Sequence, residues 1–156
     1  MTSRVARRTY GTVCTEPFDN YLHDPNKLHI NEYGQARCKD VLSVFVQIGD
    51  EIEIGSTMEK IYTLRKSVHN PCCKIYSMDR KADDQVEYVD HPDVTQLGEI
   101  KIFAPNPRGL KSRDLVLRMT FSGAEIVCEA IDTTSSSTCS TTTDFLSESN
   151  DTNHNE

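Results

Sequence analysis

The feature that most constrains this chain is a stretch of strict alternation near its end. Leu115, Leu117, Met119 and Phe121 fall on one side of a two-residue repeat, with Arg118 and Thr120 on the other. Ser122-Gly123 interrupts the pattern, and Ala124, Ile126, Cys128 and Ala130 then resume it against Glu125 and Glu129. Successive side chains of an extended strand point to opposite faces, so the repeat gives each of two strands one apolar row. The turn signal between them predicts an antiparallel hairpin.

The same signal recurs upstream in shorter pieces. Val41 to Ile48 is nearly continuous apolar, as for a strand covered on both faces, and Gly49-Asp50 ends it as a turn. Ile52 and Ile54 alternate with Glu51 and Glu53. Ile61 and Thr63 oppose Tyr62 and Leu64, and Cys73 and Ile75 oppose Cys72, Lys74 and Tyr76. Ile100 and Ile102 alternate with Glu99 and Lys101 before Pro105-Asn106-Pro107-Arg108-Gly109 stops the strand. His69-Asn70-Pro71, the charged Asp79 to Asp84 and His91-Pro92-Asp93 read as loops. Seven to eight short strands at this spacing predict a mainly β fold, an antiparallel β-sandwich or barrel.

Two segments resist the pattern. Residues 17–39 are polar and turn-rich, and read as a long loop with room for a short helix. Thr133 to Thr143 is Ser and Thr apart from Cys139; it reads either as a linker or as an edge strand placing Cys139, Thr141, Thr143 and Phe145 on one face. The expected division is a basic segment over 1–8, a sandwich over 9–146 and a disordered acidic tail over 147–156.

Composition excludes several functions. The formal charge is −7 over 156 residues, which argues against nucleic acid as the main partner. No apolar run approaches the ~20 residues of a membrane-spanning helix. Met1 is followed by polar and basic residues without the apolar centre of a signal peptide, so the expected location is cytoplasmic. The six cysteines, at 14, 38, 72, 73, 128 and 139, include no C-x-x-C pair; free thiols are expected rather than disulfides or a metal site.

Four segments, in order, resemble the substrate-binding domain of the 70 kDa heat-shock protein family. Val94 to Gly109 is similar to a strand opening on Leu-Gly and ending in a Pro-x-x-Pro-Arg-Gly-like loop. Leu115 to Asp132 resembles the closing hairpin. Val44 to Ile52 resembles the second strand and its exposed turn, and Lys74 to Arg80 the fourth strand. Arg8-Thr-Tyr-Gly11, the stretch Phe18 to Leu28 and Cys38-Lys-Asp-Val41 resemble the divergent 12A and 12B type branch.

The resemblance implies a heat-shock-type β-sandwich that holds an extended peptide in a cleft between loops at one end. Backbone hydrogen bonds would hold the peptide, and a pocket would take one apolar side chain. Carried over, the peptide-binding residues are Thr12 and Cys14 from the first strand, Tyr62, Thr63 and Arg65 from the third, and Pro71 and Cys73 from the fourth. Thr12, Arg65 and Cys73 are smaller or more polar than the family's aliphatic pocket residues. The gain from a buried Leu, ~1.5–3 kcal/mol, should therefore shrink, and weak peptide binding or a different ligand is expected.

The expected partners are unfolded or extended segments of client proteins, with a separate ATPase domain as a further candidate. Neither the family's ATP-binding half nor its helical lid matches any part of this chain, so no cofactor and no enzymatic activity are expected here; ATP would belong to the N-terminal half. Two other functions compete. An extracellular adhesion-type sandwich would use the Asn150-Asp-Thr152 glycosylation sequon. A thiol enzyme would pair Cys72 or Cys73 with His69, and would need a base within hydrogen-bond reach.

Overall fold

The computed structural model describes residues 3–144. The expected tail, and with it Phe145 and the Asn150 sequon, lies outside the described residues. Eleven strands form three antiparallel sheets: β1 (Ser3–Val5), β2 (Thr9–Pro17), β3 (Leu28–Ile30), β4 (Ala36–Val46), β5 (Glu51–Glu53), β6 (Thr57–Arg65), β7 (Cys72–Met78), β8 (Thr95–Lys101), β9 (Ser112–Ser122), β10 (Glu125–Asp132) and β11 (Thr138–Asp144). The fold is a sandwich and not a barrel. One sheet runs β11-β10-β9-β6 and the other β3-β4-β2-β7-β8, while β1 pairs with β5 alone.

The alternating rows of β9 and β10 explain the packing. Leu115, Leu117, Met119 and Phe121 are buried on β9, and Ile126, Cys128 and Ala130 on β10. They meet Tyr10, Phe45, Val46, Ile75 and Ile100 from the other sheet in one core. The hairpin between β9 and β10 turns at Gly123 with φ of 71°, a conformation an L side chain resists.

β4 is covered on both faces, as its apolar run requires. Phe45 and Val46 join the core between the sheets, whereas Leu42 packs with Tyr76 and Met78 in a second cluster under Ala82, Val89 and Val94. The segment after β7 thus folds back over the outer face of the five-stranded sheet. Arg80 holds that cover in place by bonding Glu87 (2.7 and 3.0 Å) and Asp93 (2.8 Å). Glu87 is buried, and the Arg80 hydrogen bonds hold its carboxyl below the usual range.

The structure refines the sequence reading in the short strands, in residues 17–39 and at the two ends of the sandwich. β1 and β3 have only three residues each, too few for alternation to register, whereas the equally short β5 falls on the alternating Glu51 to Ile54. Residues 17–39 are not one loop. Asp24 caps a single 3-10 turn over Pro25–Lys27, β3 follows at once, and β4 begins at Ala36. Leu28, His29 and Ile30 are all exposed on an edge strand, so no buried face marked them in the sequence. The Ser- and Thr-rich segment forms β11, an edge strand paired along β10. Its Thr content suits a half-buried edge. The basic opening segment is also seated, since β1 pairs with β5 and Ala6 is buried in the core.

Candidate functional site

At the end of the sandwich where β6 leaves its sheet and β7 enters the other, the two layers part. Between them lies a cavity of about 360 Å³, floored by Leu115 and Leu117 of β9. Its walls come from β2, β6 and the start of β7. Thr12, Cys14, Tyr62, Thr63, Pro71 and Cys73 all line it. Six of the seven carried-over residues, spread over 62 positions of sequence, are thus brought to one opening.

Arg65, the seventh, lines an adjoining cleft of about 670 Å³. The two spaces share Thr15, Arg37, Thr63 and Pro71 along their boundary, so they form one continuous groove. β6 ends its sheet, and the edge strand runs along this opening with Ile61 exposed. A sheet edge offers backbone donors and acceptors in a row, the element needed to hold an extended chain.

Several pocket groups are already engaged. The Thr12 hydroxyl is buried and donates to the Lys74 carbonyl at 2.8 Å. The Tyr62 hydroxyl donates to Ser43 Oγ at 3.0 Å, and Lys60 Nζ donates to the same oxygen at 3.1 Å. Lys60 also sits 5.3 Å from the centre of the Phe45 ring. Ser43 thereby ties the inner face of β6 to β4 of the opposite sheet. Pro71 is buried, with its carbonyl accepting from Ile102 N–H at 3.2 Å.

The thiols around the groove are poorly suited to nucleophilic work. Burial pushes Cys73 up to about 11, and burial together with the Glu16 carboxylate pushes Cys14 up to about 11. Cys72 is exposed but also raised, by partial burial and by Glu99, which accepts from its Sγ at 3.6 Å. Among the described residues no hydrogen bond joins His69 to either thiol; its carbonyl accepts from Ala104 N–H at 2.7 Å. An activated cysteine needs a lowered pKa or an adjacent base. All six cysteines are free, and no group of three or more His, Cys, Asp or Glu side chains among the described residues could hold a metal.

Arg37, Ser43 and Lys111 belong to the groove and its supports but carried no signal in the sequence, and Ile61 was marked there only as a strand residue. Arg37 lay in the segment read as a loop, and Ser43 sits inside an apolar run where its hydroxyl looked incidental. Comparison with protein-family models and with curated proteins finds no match to this chain.

Proposed function

We propose that this sandwich is the peptide-binding module of a chaperone-like protein, of the kind the heat-shock 70 kDa resemblance implies, and that it holds extended segments of unfolded client chains. The observation that carries this reading is the convergence of Thr12, Cys14, Tyr62, Thr63, Pro71 and Cys73 on one opening between the sheets. The resemblance implies that these positions line one cleft, and they lie around one opening. The free edge of β6 beside the opening supplies the backbone partners that an extended ligand requires.

The mechanism follows from the parts. A client segment lies along β6 with alternate side chains directed into and out of the groove. One apolar side chain enters the space over Leu115 and Leu117, against Tyr62. A cavity of about 360 Å³ accepts a leucine or methionine side chain with its flanking backbone. Polar groups at its rim reduce the apolar area buried, so affinity is modest and exchange fast. The module performs no chemistry itself, works in the cytosol, and leaves any ATP-driven cycle to a separate domain.

Titration with a panel of extended apolar peptides tests the proposal. Binding is expected for peptides with a central Leu or Met, and Tyr62→Ala should weaken it about tenfold through lost ring contact. Ile61→Asp, on the exposed face of the same strand, serves as a second variant that leaves the core intact. Failure of every apolar peptide to bind the folded wild-type chain would end this reading.

A further inference from the structure

The cleft that continues from the pocket has a chemistry of its own. Arg37, Arg65, Lys111 and His29 line it, and no carboxylate does, in a chain whose formal charge is −7. The Arg37 guanidinium is held by Thr15, donating to its carbonyl at 3.1 Å and to its hydroxyl at 3.2 Å. Arg65 and Lys111 have no side-chain hydrogen bond or ion pair to any described residue. Glu32, on the neighbouring turn, accepts from the Ser67 hydroxyl and does not line the cleft.

A fourth cation lies beneath the wall. Arg113 is 3% exposed and donates to the carbonyls of Ala104 (2.8 Å), Arg65 (2.7 Å) and Val68. No carboxylate among the described residues pairs with it, and its Nε has no hydrogen-bond partner. Arg65 and Val68, whose carbonyls it holds, are themselves part of the cleft. A buried charge without a counter-ion is poorly screened, so it adds to the positive potential over this end of the molecule.

The wall is also built rather than loose. Asn31 Oδ1 accepts from the N–H groups of Tyr33 and Gln35, closing the turn between β3 and β4. The Tyr33 hydroxyl donates to the Lys111 carbonyl at 2.7 Å and accepts from Lys66 N–H at 2.9 Å, fastening that turn across the cleft.

We infer that this cleft takes the acidic flank of the client segment whose apolar side chain fills the adjoining pocket, so that preferred clients carry Asp or Glu beside their apolar core. The inference rests on the peptide-binding reading and specifies its substrate class. Carboxylates of an extended chain leaving the pocket past Thr63 and Pro71 would meet Arg65 and Lys111. Pairing unpaired cations at a partly enclosed surface favours the acidic partner and speeds its encounter.

The test uses the full chain and four labelled peptides. Three share a leucine core flanked by glutamates, glutamines or lysines; the fourth has glutamate flanks around a serine core. The glutamate-flanked leucine peptide should bind about tenfold more tightly than its lysine counterpart, with the ratio shrinking as salt is raised. Reversing charge with Arg65→Glu and Lys111→Glu together should abolish or invert that ratio. Equal affinity for all three leucine peptides would overturn the acidic preference and leave the pocket reading standing. Binding of the serine-core peptide as tightly as its leucine counterpart would support the cleft and remove the pocket. No binding by any peptide would overturn both.

Discussion

At the residue scale, Gly11 does something no other residue could. A Cβ there would lie 2.4 Å from the Ser43 carbonyl oxygen, so β2 and β4 approach too closely for a side chain. Ser43 is the residue that receives both Lys60 and Tyr62. Gly11→Ala should therefore destabilise the fold by about 1–3 kcal/mol, read from the midpoint of denaturant unfolding, and weaken peptide binding through displacement of Ser43. The thiols give a second residue-level expectation. Exposed Cys72 should alkylate first at neutral pH, with buried Cys38, Cys73 and Cys128 following only on unfolding, as peptide mass spectrometry would show. Burial pushes Cys128 up to about 12, which slows it further.

At the scale of elements, the segment between β7 and β8 and the wall around Arg113 carry the testable energetics. Glu87 has its folded pKa lowered by its Arg80 hydrogen bonds, so the stability it contributes is complete above its unfolded value of 4.5. It is lost as pH falls from there through the depressed folded value. Amide exchange in residues 79–94 should accelerate across that acid window before the main sheets open, and Glu87→Gln should flatten the dependence. Arg113→Met leaves the carbonyls of Arg65, Val68 and Ala104 without their donor, and should cost about 2–4 kcal/mol in thermal or denaturant unfolding. Its effect should concentrate in residues 65–71 and 102–110, the segments that the guanidinium joins.

Elements also differ in how far they could be read from sequence. β9 and β10 were plain because one face is buried along their whole length, which imposes alternation on the composition. β3 was invisible because it buries nothing, and β11 was ambiguous because Ser and Thr suit an exposed edge and a linker equally. The groove was legible only through resemblance. Tyr62 and Cys73 sit on strands like any others, and their meeting depends on pairing between β6 and β9 and between β7 and β2, which no local pattern encodes. Arg113 shows the same limit, for its position within an alternating strand predicts burial whereas its charge predicts exposure. Three carbonyls, one at the end of β6 and two from loops, resolve the conflict.

At the scale of the whole molecule, the two ends of the sandwich differ. One end is closed by the β1–β5 pair and the turn at Gly123; the other carries the parted layers, the open edge of β6 and the cationic cleft. On the proposed reading, an acidic protein with a basic cleft beside a pocket of mixed polar and apolar lining should bind clients in a salt-sensitive manner, with the apolar contribution persisting at high ionic strength. The most direct measurement is a map of backbone amide NMR shifts as a leucine-centred extended peptide is titrated into the full chain. Shifts should cluster on Thr12 to Thr15, Ile61 to Arg65 and Cys72 to Cys73. Shifts confined to the β1–β5 pair and the Gly123 turn, or none at saturating peptide, would contradict the account.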